Sequence, residues 1–272
     1  MMIAGGGTPA VASYLLQDKI AVFARVCSYD RPGLGWSDAA TARMSLNDHI
    51  SDLDSLLAKG GVTGPLILAP ESFGALIAIG YAERHPDRVA GIVFIDGSEP
   101  KTWFDTMPSV SPIPSRLSAV LAQASWRVGA VRLLLPALSP AWVAALPAPI
   151  RGQFDAIYSR PSPGYDEAMV AFEHTPPGYR PTAERGVLGA TPILVIRHGV
   201  VPVRLGRGFD AGWSLAQARL LALTSGPASM TVAQGAGHQV AQERPELVAT
   251  LVERLVHASV SQAKSTRPGP MP

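Results

Sequence analysis

The chain has one cysteine, Cys27, among 272 residues, which excludes an internal disulfide framework and a thiolate-rich metal site. Cys27 lies in an apolar run and is expected in the core. Charge is sparse as well: Asp, Glu, Lys and Arg total 16%, for a formal net charge of +2. Lys and Arg never gather into a basic run or interleave with aromatics, so no nucleic-acid partner is expected. Apolar residues make up 47% of the chain, yet no run reaches the ~20 residues needed to span a bilayer. The opening MMIAGGGTPAVASYLL lacks the basic region and cleavage site of a secretory signal. A cytoplasmic protein without a membrane span is the resulting expectation. No internal repeat or heptad seam is visible.

Short apolar runs ending in Gly, Pro or Asp are present, the pattern of strands buried on both faces of a parallel sheet. They cover Arg25 to Tyr29, Pro65 to Ala69, Val89 to Ile95, Pro192 to Arg197 and Ala228 to Val232. Helical periodicity falls between them, over Leu46 to Lys59, Gly74 to His85, Ala211 to Leu223 and Pro245 to Val260. Alternation of this kind predicts an α/β fold, a mostly parallel sheet with helices on both faces. It breaks between Glu99 and about Gly186, where Pro-punctuated stretches carry Trp103, Trp126 and Trp142. The expected organisation is a core of residues 1–98 and 187–260, an inserted helical cap over 99–186, and a flexible tail over 261–272.

After the strand around Leu66 comes Pro70-Glu71-Ser72-Phe73-Gly74-Ala75, leading into an Ala- and Ile-rich helix. A serine hydroxyl is a poor nucleophile unless held exposed beside a base, which a sharp strand-to-helix turn between small residues achieves. The new helix also aims its first N–H groups at a developing oxyanion, with the Phe73 N–H as the expected donor. Pro70 stands where the G-x-S-x-G pattern has its first glycine, adding a ring and removing an N–H. The plainer alternative makes Ser72 an ordinary helix N-cap.

A base must reach Ser72 from elsewhere in the chain, and His238 lies in the Gly-rich loop Gln234-Gly-Ala-Gly-His-Gln239 before the last helix. Such a loop can present an imidazole over the carboxyl edge of the sheet. The remaining histidines, His49, His85, His174, His198 and His257, lie in no comparable loop. Two carboxylates compete to orient the ring. Asp96 ends the strand following the Ser72 helix, at the carboxyl edge where the crevice of an open α/β sheet forms. Asp210 lies in the Gly-rich segment after Pro192 to Arg197. Position favours Asp96; Asp210 is the alternative acid.

These stretches together resemble the α/β-hydrolase superfamily. The resemblance is carried by Arg25 through Asp38 (RVCSYDRPGLGWSD), Pro65 through Ser98, and Pro192 through Leu251. It leaves the cap unmatched. It implies that YDRPGLGWSD forms the turn after the fourth strand of that family, beside the active site, and that Asp96 takes the acid position known in some members after strand six. It further implies that Ala4-Gly5-Gly6-Gly7 is the oxyanion loop, with Ala4 replacing the usual histidine and the Gly6 N–H as second donor. On this alignment the chain begins inside the family's third strand, lacks its first two, and leaves Arg25 to Tyr29 as an open apolar edge. A start set too late, or a compensating partner, is the corresponding expectation.

The expected chemistry is acyl transfer to water through Ser72, His238 and Asp96, without a cofactor or metal. The bond is an ester by default, and Trp103, Phe104, Trp126 and Leu133 to Leu135 suggest a small substrate with an apolar moiety. Two alternatives stand beside it: a non-catalytic protein of this fold binding a ligand or partner, or a triad enzyme acting on thioesters, lactones or carbon–carbon bonds.

Overall fold

The computed structural model describes residues 1–39, 44–106, 133, 135, 137, 139–159, 179–200 and 206–265; of 206–209 and 262–265 only the backbone is considered. Five parallel strands form one sheet in sequential order: β1 (Met2–Ile3), β2 (Leu66–Pro70), β3 (Val89–Ile95), β4 (Ile193–His198) and β5 (Ala228–Ala233). The helices are α1 (Tyr14–Ala21), α2 (Leu46–Lys59), α3 (Gly74–Arg84), α4 (Ala148–Tyr158), α5 (Gly206–Leu221), α6 (Val240–Glu243) and α7 (Pro245–Ser265).

Strand periodicity explains the two-sided core. Successive side chains of a strand point to opposite faces. On β3 and β4, Ile92, Phe94, Ile193 and Val195 therefore pack with α2, α3 and α5, through Leu53, Leu76 and Leu220. Their neighbours Val93, Ile95, Leu194 and Ile196 face α1, α6 and α7, through Leu16, Val240 and Val252. A strand covered on both faces must be apolar throughout, and each large side chain so buried contributes about 1.5–3 kcal/mol. Ser45 caps α2, exchanging side-chain and backbone hydrogen bonds with Asp48 in a capping box.

Residues 25–29 depart from the expected strand. One backbone bond, Met2 N–H to the Cys27 carbonyl at 2.8 Å, ties them to β1, and they form no ladder. Their apolar character serves packing instead, with Val26 against the α1/α7 side of the core. The last helix continues to Ser265, into the segment expected to be a tail; residues 266–272 lie outside those described. Of residues 99–186, the segment expected to form a cap, the described parts include a π-helical turn at Thr102–Thr106, a 3₁₀ turn at Ala141–Ala145 and α4. Among the described residues no helix is long and apolar enough to cross a membrane.

Candidate active site

Ser72 sits in the turn between β2 and α3 with φ at 48°, a left-handed conformation that costs an L-residue about 1–3 kcal/mol unless its surroundings enforce it. Those surroundings are β3: the Ser72 N–H donates to the Ile95 carbonyl at 3.1 Å and its carbonyl accepts from the Ser98 N–H at 2.9 Å. Gly74 is required by contact, since a Cβ there would lie 2.3 Å from the Ile3 carbonyl oxygen. Pro70 is accommodated because the flanking N–H groups carry the pairing with β1: Ala69 donates to Met1 and Glu71 to Ile3, at 2.8 and 2.9 Å.

His238 Nε2 lies 3.0 Å from Ser72 Oγ, and its Nδ1 lies 2.5 Å from Asp96 Oδ2. Asp96, fully buried at the end of β3, also has a left-handed backbone, φ 45°. The loop carrying His238 is fixed by the Gly237 N–H donating to Glu243 at 2.7 Å and by Arg244 donating to the Gln234 carbonyl at 3.0 Å. The Trp213 indole of α5 stands edge-on to the imidazole, centroids 5.3 Å apart. Three residues separated in sequence thus meet above the carboxyl edge of β2, β3 and β5, with one imidazole between a hydroxyl and a carboxylate.

Asp210 does not reach His238. Its Oδ1 lies 2.9 Å from His198 Nε2, while His198 Nδ1 lies 2.8 and 3.0 Å from the two oxygens of Asp96 and the His198 backbone N–H donates to Asp96 at 3.1 Å. His198 was not singled out by sequence. It ends β4, and the β3–β4 register, which pairs Ile95 with Ile196, brings it beside Asp96. A histidine closing a strand next to the one closed by a candidate acid was the available signal. Asp96, His198 and His238 place ligand-type atoms within 4.8 Å of one another. Their separations are those of charge-assisted hydrogen bonds.

Burial opposes ionisation of Asp96, but hydrogen bonds from both imidazoles and their charge outweigh it and hold the carboxyl well below its ordinary range. Burial likewise disfavours the cationic forms of His238 and His198, yet their bonds to Asp96 raise both above the ordinary imidazole value. Beside Ser72, burial pushes the Glu71 carboxyl up to about 7, against the opposing hydrogen bond from Gln242.

The Ala4–Gly7 loop rests on the turn that carries Ser72: a Cβ on Gly5 would lie 3.3 Å from Ser72 Cβ. Buried Arg31 donates to the carbonyls of Ala4 and Gly5, both at 2.6 Å. In a trans peptide C=O and N–H point in opposite directions, so holding the Gly5 carbonyl at Arg31 turns the Gly6 N–H away from it. The next residue back, Asp30, braces the same region, accepting from the Ala10 and Trp36 N–H groups at 2.6 and 3.0 Å. Gly35, at φ 51°, must be glycine there because a Cβ would overlap the Asp30 carboxylate.

Trp103 packs on Phe73, with ring centroids 5.8 Å apart, and Phe104 is partly buried against the same core. Leu133 is 85% exposed; Trp126, Leu134 and His174 lie outside the described residues. Trp142 donates from Nε1 to Gln239 Oε1 at 3.1 Å and packs on Phe154. This contact joins the 3₁₀ turn at Ala141–Ala145 to the residue after His238.

A family model described as the alpha/beta hydrolase fold matches residues 5–125. The chain has the α/β-hydrolase fold. An uncharacterised Schizosaccharomyces pombe protein, C23C11.06c, is 38% identical over 82 residues, which is 30% of this chain and 15% of that protein. A structure from work on carboxylesterases of the thaumarchaeon Nitrososphaera gargenis superposes with a TM-score of 0.67 at 19% identity, covering 96% of this chain and 90% of that one. The enol-lactonase of Burkholderia xenovorans superposes at 0.64 with 16% identity, covering 94% and 90%. Likeness at these identities is a likeness of α/β-hydrolase architecture.

Proposed function

We propose that this protein is a serine hydrolase that cleaves an ester or related acyl bond through an acyl-enzyme. The observation carrying the proposal is the continuous path from Ser72 Oγ to His238 Nε2 at 3.0 Å and from His238 Nδ1 to Asp96 Oδ2 at 2.5 Å. His238 removes the Ser72 proton as Oγ attacks the carbonyl, and Asp96 stabilises the imidazolium. The Phe73 and Gly6 N–H groups receive the tetrahedral oxyanion; losing one such donor commonly costs about 2.7–4 kcal/mol of barrier. The imidazolium protonates the leaving group. The neutral ring then takes a proton from water as it attacks the acyl-enzyme, and returns that proton to Ser72. No cofactor or metal enters these steps.

Structural relatives named as carboxylesterases and as an enol-lactonase support hydrolysis as the reaction class and make esters and lactones the first substrates to try. The aromatic side chains Phe73, Trp103 and Trp142 favour a small substrate with an apolar moiety. Incubating the purified protein with a fluorophosphonate and mapping the adduct tests the proposal: modification of Ser72 supports it. A folded protein that resists the probe overturns it and favours the alternative of a non-catalytic protein of this fold. A panel of ester, thioester, lactone and carbon–carbon substrates then selects the bond.

A further inference from the structure

Both ring nitrogens of His198 face carboxylates: Nδ1 is 2.8 Å from Asp96 Oδ2 and Nε2 is 2.9 Å from Asp210 Oδ1. A neutral imidazole carries a proton on one nitrogen only. One of these contacts would then set a lone pair against a carboxylate oxygen, unless the second ring proton is present. The side chain is buried, 3% exposed, whereas Asp210 is 21% exposed and Asp96 is fully buried, so the ring sits where an unpaired charge is costly and a doubly paired one is stabilised. Asp96 is shared: its Oδ2 also meets His238 Nδ1.

We propose that His198 is a positioning residue, a doubly protonated imidazolium held between Asp96 and Asp210, that orients the Asp96 carboxylate and sets the pH at which the Ser72–His238 pair becomes active. The inference rests on the hydrolase assignment for its consequence, but the state of the ring is a property of the resting protein. His198 faces Asp96 from β3, Asp210 from α5 and His238 from the loop after β5, with Glu71 behind His238; its chain neighbour Arg197 is engaged by Ser214. Asp96 alone would raise the basicity of His238 strongly. A fixed positive charge on the other side of the same carboxylate opposes this, leaving His238 a neutral base at lower pH than a lone Asp–His pair would allow.

The test is a ¹⁵N-histidine NMR titration of the full chain, with the pH dependence of fluorophosphonate labelling at Ser72 followed in parallel. Both His198 ring nitrogens are expected to stay protonated through pH 7, and Asp210→Asn is expected to lower the midpoint of that ring. In His198→Gln, which retains an amide donor but no charge, the His238 midpoint and the acid limb of labelling should both rise by roughly one unit or more. A singly protonated His198 at neutral pH overturns the proposal, as does an unchanged His238 midpoint in His198→Gln. If His198→Gln does not fold, wild type and Asp210→Asn decide it by NMR alone. A protein that never labels defeats the hydrolase assignment and leaves both ring titrations readable.

Discussion

Ser72 and Asp96 are the two non-glycine residues with positive φ among the described residues, at 48° and 45°, and they end adjacent parallel strands. Strain of this kind persists only where the fold over-determines it. Here the backbone of β3 and β4 does so, with Ser72 N–H donating to Ile95 and Asp96 N–H to Ile196, at 3.1 and 2.7 Å. The pairing of left-handed turns at neighbouring strand ends aims a hydroxyl and a carboxylate at the same imidazole.

Ser72→Ala is expected to abolish turnover and probe labelling while leaving unfolding free energy within about 0.5 kcal/mol of wild type, because alanine inherits the same backbone bonds and a similar φ penalty. Calorimetry alongside labelling checks both halves.

Asp96→Asn removes the charge that faces two imidazoles and is expected to lower kcat by ~10⁴-fold, the scale seen when a triad carboxylate becomes an amide. Asp210→Asn touches only His198 among these groups and is expected to cost less than about tenfold in kcat at the pH optimum. Steady-state kinetics on the two variants side by side decides which aspartate is the acid; a larger loss from Asp210 reverses the assignment.

Arg31→Lys keeps the charge but replaces a planar fork by a point charge on a flexible stem, so one of the two carbonyls at Ala4 and Gly5 loses its donor. The expected cost is about 1–3 kcal/mol of stability, with turnover falling through a displaced Gly6 N–H and KM changing less. Denaturant unfolding and a kcat against KM comparison report the two effects separately.

Glu71→Gln is expected to gain stability relative to wild type as pH rises. The folded-state value of about 7 exceeds the ordinary 4.5, so between them the folded chain holds a proton that the unfolded chain releases. Stability from this group is therefore fullest below about pH 4.5 and declines up to about pH 7, by at most about 3 kcal/mol. Glutamine cannot ionise, and urea midpoints of the two proteins should diverge across that window.

Much of this was legible in the sequence because it rests on local chemistry. Val89–Ile95 is apolar at every position, as only a strand covered on both faces would be, and Ser45 with Asp48 marks the start of α2. Ser72 and His238 stand in turns whose neighbours announce them. His198 carried no such signature, since its importance comes from the lateral register of β3 and β4, and no spacing along the chain reveals which strands lie side by side. The same limit produced the error at residues 25–29. Apolar composition marks a segment for burial, but whether it pairs depends on a neighbour, and here β1 supplies one bond.

The indole of Trp142 is hydrogen-bonded to Gln239, one peptide away from His238, the base of the proposed mechanism. The 3₁₀ turn at Ala141–Ala145 and the loop that carries His238 are therefore mechanically joined. Under the proposed mechanism, substitutions that shift that turn are expected to alter turnover as well as affinity, so that selectivity and speed are not tuned independently.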